Sequence, residues 1–68
     1  MKQLVKVNHE VFHDFYEGIN GQRRVCCILD KNCIRYTVFE NGKKKRTSTF
    51  INGQEQTCFD NAAKALNR

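Results

Sequence analysis

The chain has 68 residues, 40% of them hydrophobic, and a formal net charge of +5. This length holds one small domain, residues 1–68, which can bury about 60% of its unfolded surface. The composition argues against a disordered chain, and the lack of any apolar run of roughly 18 residues argues against a membrane-spanning helix, so no membrane partner is expected.

The opening stretch MKQLVKVNHE has no apolar h-region, so it is not read as a secretory signal and a cytoplasmic location is expected. In that setting Cys26, Cys27, Cys33 and Cys58 are read as free thiols rather than disulfides. The spacing of Cys26, Cys27 and Cys33 is not a paired zinc pattern. The sequence pI of about 9.3 points to an anionic partner, nucleic acid first, although a basic surface that only keeps the protein soluble fits the composition equally well.

In chain order, QLVKV reads as a short edge strand. Residues 9–19 carry Val11, Phe12, Phe15, Tyr16 and Ile19, an apolar stripe at helical spacing, with Asn8 as N-cap. The stripe predicts a first helix. The alternative is a strand over about 11–18 that turns at Asn20-Gly21. RRVCCILD, CIRYTVFE and KKKRTSTFI are rich in β-branched and aromatic residues and predict three strands. Lys31-Asn32 and Asn41-Gly42 are the turns between them.

Those turns set a register. Leu29, Cys27 and Val25 face Ile34, Tyr36 and Val38 across the first turn. Val38, Tyr36 and Ile34 face Lys45, Thr47 and Thr49 across the second. One face then collects Val25, Cys27, Tyr36, Val38, Thr49 and Ile51. The other collects Arg24, Ile28, Arg35, Phe39, Lys44 and Arg46. The C-terminal segment QTCFDNAAKALNR places Phe59, Ala62, Ala63 and Leu66 on one helical face, with Thr57 and Asp60 resembling a capping box. The expected architecture is α+β, in the order α-β-β-β-α: a three-stranded antiparallel meander with both helices on its apolar face.

HEVFH at 9–13 has the H-E-x-x-H spacing of zinc hydrolases, with Glu17 as a third candidate ligand. A zinc hydrolase also needs an open coordination position inside a cleft, and a domain of this size has little chain left to build one. His9, Glu10, His13 and Glu17 are therefore read as a solvated face. No glycine-rich phosphate loop appears, and no cysteine is brought to a histidine. Neither catalysis, nor a metal, nor a cofactor is expected.

The stronger constellation is the polar sheet face. Arg24, Arg35, Lys44 and Arg46 share it with Phe39, and Lys43 and Lys45 lie at the turn. Arginine forks bind phosphates or guanine edges, and a two-stranded ribbon fits a major groove. The plain alternative is a solvated face whose cations guard the sheet against aggregation. The expected partner is duplex DNA, with these seven residues as the binding set.

A three-stranded sheet ending in KKKRTSTF and followed by FDNAAKALN resembles the small arm-type DNA-binding domains of phage and transposon tyrosine recombinases. Plant-type sheet-plus-helix domains are similar. The resemblance spans roughly residues 23–68 and is topological. It implies a sheet face in the major groove, with Arg24, Arg35, Lys44 and Arg46 toward DNA. The α-β-β-β-α order also resembles a double-stranded-RNA-binding domain, but QEQTCF and DKNC stand where that family has its lysine cluster and its Gly-Pro-x-His loop. In size the chain is similar to phage-encoded inhibitors of host defence such as anti-CRISPR proteins. That likeness implies a host protein as partner, engaged by Glu10, Asp14 and Glu17.

Overall fold

The register between RRVCCIL and CIRYTVFE decides the rest of the structure. In a computed structural model describing all 68 residues, these segments are strands β3 (Arg23–Leu29) and β4 (Cys33–Glu40). Val25 lies opposite Val38, Cys27 opposite Tyr36, and Leu29 opposite Ile34, as their sequence pattern predicts. Strand β5 (Lys43–Ile51) follows β4 through Asn41 and Gly42, which take φ 54 and 79. Two successive positive φ values are what a two-residue I′ hairpin turn requires.

The predicted first helix is absent. In its place are a second strand, β2 (Phe15–Asn20), and an edge strand, β1 (Val5–Val7). All five strands form one antiparallel meander in the order β1-β2-β3-β4-β5. The fold is therefore α+β, but with five strands and one helix, in place of the expected three strands and two helices. The apolar residues of segment 9–19 fit both periods, and pairing to β3 wins. In β2, Tyr16 and Gly18 lie opposite Cys27 and Val25 on the core face, while Phe15 and Glu17 lie opposite Ile28 and Cys26 on the other. Val11, expected in the core, is 72% exposed.

The helix α1 (Glu55–Leu66) begins two residues before Thr57, so Thr57 is a helix residue and no side chain caps the N-terminus. Its buried residues Cys58, Ala62, Ala65 and Leu66 sit against β3 and β4. They close a core with Val25, Cys27, Ile34, Tyr36 and Val38. Small residues at 62 and 65 let the helix backbone approach the sheet. Phe59 meets Tyr16 edge-on, with ring centroids 4.9 Å apart. Gly18 makes room for Leu66, because a Cβ at position 18 would collide with the Leu66 Cδ2.

The last helical carbonyls have no intrahelical partners and are taken from outside. Asn20 Nδ2 donates to Leu66 O at 2.9 Å, and Arg23 Nη1 donates to Ala65 O at 3.2 Å. Asn67 exchanges two hydrogen bonds with the main chain of Lys2, tying the start of the chain to the helix end. No helix is long and apolar enough to cross a membrane.

One register differs from its expectation, with consequences for the site. Phe39 lies opposite Lys44, but Val38 lies opposite Arg46, so Lys45 is the extra residue of a β-bulge. Side chains alternate with period two, so one inserted residue turns the rest of β5 over. Thr47, Thr49 and Ile51, expected on the core face, are on the open one. Arg46, Ser48 and Phe50 are on the helix side. The reason is Phe50, which packs against the core and stacks on Tyr36 at 6.2 Å. The unbulged register would leave its ring on the open face.

Candidate nucleic-acid interface

The face of the sheet away from α1 carries two cross-strand rows. At the turn end, Ile19, Arg24, Phe39 and Lys44 lie side by side. Four residues along β3, about 13 Å away at ~3.3 Å per residue, Phe15, Ile28, Arg35 and Thr49 form the other. Between them Thr37 and Thr47 share a hydroxyl hydrogen bond of 3.0 Å.

Arg24 is the most constrained of the cations. Its guanidinium carbon lies 4.3 Å from the Phe39 ring centroid, its Nη1 donates to Glu17 Oε2 at 2.8 Å, and the same nitrogen lies 3.0 Å from Cys26 Sγ. The hydrogen bond to Glu17 raises its pKa further above an already high value, so it stays charged. Arg35 and Lys44 make no ion pair. The face is net positive, with one carboxylate among its cations.

Of the seven residues singled out from the sequence, Arg24, Arg35, Phe39 and Lys44 are brought together on this face. Lys43 lies opposite Glu40 beside the turn. Lys45 is the bulged residue, and its Nζ stands 4.0 Å from Glu40 Oε2. Arg46 does not join the set. The bulge places it on the helix side, opposite Val38.

Glu17 was expected on a solvated helical face and instead neutralises Arg24 from β2. The signal for it was present: a strand turning after Asn20 puts Glu17 opposite Cys26, diagonal to Arg24. Glu10 and Asp14 do not line up with it. Asp14 pairs with Lys6 at 3.5 Å, and Glu10 lies outside regular structure.

The HEVFH segment is a loop, not a helix, so His9 and His13 do not stand one turn apart. His9 Nδ1 accepts from the Val11 amide at 3.2 Å, and its ring packs on Phe12 and Phe15. No group of three metal-ligating side chains assembles anywhere in the chain.

All four cysteines are free, and Cys26, Cys27 and Cys58 are buried. Burial pushes the Cys27 thiol up to about 12, with Cys58 beside it adding to the shift. Burial also raises Cys58, and raises Cys26 despite the nearby Arg24. The thiolate is the nucleophile, so these three are chemically quiet. Under native conditions at mildly alkaline pH, iodoacetamide should modify Cys33 and leave the other three until denaturant is added. Mass spectrometry of the labelled peptides checks this. Because these folded pKa values lie above the unfolded ones, the stability these thiols confer is complete below the ordinary thiol range. It is lost as pH rises through that range toward about 12.

Compared with family models, curated proteins and solved structures, the chain matches none.

Proposed function

We propose that this chain is a non-catalytic protein that binds duplex DNA with its β5 edge, in an accessory or regulatory role. The observation that supports this most is the division of charge on β5. The bulge at Lys45 leaves Lys44 on one side of the edge strand and Arg46 on the other. A major groove has a phosphate wall on each side, and an edge with cations on both faces matches it.

The sheet cannot lie flat in the groove. Four interstrand steps of about 4.8 Å make it about 19 Å wide, against a groove of about 12 Å. Edge-on entry has no such conflict, because β5 is an outer strand and most of its residues are exposed. On the open side Arg24, Arg35 and Lys44 then face one row of phosphates, with Phe39, Thr47 and Thr49 toward sugars and base edges. Lys45 and Arg46 face the other row, and Lys43 adds attraction at the turn.

Glu17 opposes this binding, so removing its charge is an informative test. Glu17→Gln should tighten duplex binding severalfold at low salt, because Arg24 is released and the face gains about one positive charge. Lys44→Gln combined with Arg35→Gln should weaken it. Fluorescence anisotropy with a labelled random duplex measures both. If neither change moves the affinity, the open face is not the interface.

A second reading, an inhibitor that docks on a protein of the nucleic-acid machinery, is favoured by one observation. Val5, Ile19 and Ile51 are 59%, 58% and 67% exposed, and all three lie on the open face. Ile19→Gln separates the two: it adds no charge beside Arg24 and should leave duplex binding nearly intact, whereas an apolar protein interface would lose its contact there.

A further inference from the structure

On the helix side of the β4–β5 turn, a cleft of about 220 Å³ opens between the sheet and the end of α1. Arg23, Glu40, Lys45, Arg46, Ala65 and Arg68 line it. Four cations therefore surround one carboxylate. Glu40 is shared between Arg23 at 3.1 Å and Lys45 at 4.0 Å. Arg46 and Arg68 are in no ion pair, and neither side chain makes a hydrogen bond within the protein. Even with a carboxylate on Arg68 the balance stays positive.

The site is also partly built. Arg23 is fixed by donating Nη1 to Arg68 O at 2.7 Å and to Ala65 O at 3.2 Å, and Nη2 to Glu40. Its Nε is the one buried side-chain nitrogen or oxygen in the protein without a hydrogen-bond partner. That Nε is sealed from solvent, so the free donors toward the cleft are those of Arg46 and Arg68. Two unpaired guanidinium groups flanking a fixed, charged one are suited to an oxyanion with several acceptor oxygens.

We infer that this cleft is a phosphate seat, formed by Arg46 and Arg68 around the fixed Arg23. If the reading of β5 as a groove-entering edge holds, on which this part rests, the seat takes a backbone phosphate from the wall opposite Lys44. A free nucleotide carries the same chemistry.

Arginine Nε–Hε resonances of ¹⁵N-labelled protein distinguish these sources. Inorganic phosphate, added at constant ionic strength against chloride, should shift Arg46 and Arg23 saturably and leave Arg35 unmoved. Arg46→Gln with Arg68→Gln should weaken that binding about tenfold or more, as expected for lost charged hydrogen bonds. Equal shifts with chloride, or equal shifts at Arg35, would overturn the seat.

The duplex arm reads the salt slope, which should fall by about 0.9 in the double variant if one backbone phosphate is seated there. An unchanged slope with intact duplex binding removes Arg46 and the seat from the DNA complex and leaves only the open-face half of the β5 reading. Saturable binding of phosphate or a nucleoside monophosphate without any duplex binding upholds the seat for free phosphate and ends the DNA reading.

Discussion

Leu66→Ala should destabilise the fold by about 2–5 kcal/mol, the range for deleting a fully buried leucine side chain. Leu66 is completely buried and forms the end of the helix–sheet contact. A domain of this size has roughly 3–10 kcal/mol in total at ~0.05–0.15 per residue, so the loss is a large share. Urea denaturation followed by circular dichroism measures it. The partner position gives an internal control. Gly18→Ala puts a methyl group against the Leu66 Cδ2, with Gln3 O 3.2 Å from the same point, and overpacking of this kind costs about 1–3 kcal/mol. In the Leu66→Ala background the same substitution should cost less, with a coupling of about 0.5–3 kcal/mol. Strict additivity of the two changes would mean that Gly18 is not what seats the helix end.

The second large effect is on binding. If the β5 edge neutralises about four phosphates, the log–log slope of affinity against salt is near −3.6. Between about 50 and 200 mM salt that amounts to roughly a hundredfold loss. Neutralising Lys43, Lys44, Lys45 and Arg46 together should flatten the slope to the shallow remainder supplied by Arg24 and Arg35. These positions are exposed and their only ion pair is the 4.0 Å contact of Lys45, so the fold should tolerate the change. A steep slope retained by the quadruple variant would locate the charge contacts elsewhere.

Much of the sheet was legible because local signals agreed with one another. Lys31-Asn32 and the alternation on either side of it specify a turn and a face, and β3 pairs with β4 as they require. Asn41-Gly42 marks the next turn, but not the face of β5 beyond the bulge. The small residues and Leu66 of α1 mark a helix that sits close to a sheet. Segment 9–19 is ambiguous in the sequence because Phe15, Tyr16 and Ile19 suit a helical stripe as well as a strand. Gly18 was the clue, being poor in a helix interior and useful where another side chain comes close. The bulge at Lys45 leaves no local mark in KKKRTSTFI, since none of those residues favours it over its neighbours. Only the need to bury Phe50 specifies it, and that is a property of the assembled core. Arg46 changed sides with the bulge, and Glu17 became a partner of Arg24 once its segment was a strand. The candidate site was therefore legible at Arg24, Arg35, Phe39 and Lys44, where register alone decides. It was illegible where a core residue or a distant strand decides.

The most direct measurement is amide chemical-shift mapping of ¹⁵N-labelled protein on adding a random-sequence duplex at low salt. Binding through the β5 edge should perturb amides along β5, from Lys43 to Thr49, and on β4 at Arg35 and Phe39. The solvent face of α1, at Gln56, Asp60 and Lys64, should stay unperturbed. Perturbations centred on that helix face, or none at low salt, would contradict binding through the β5 edge.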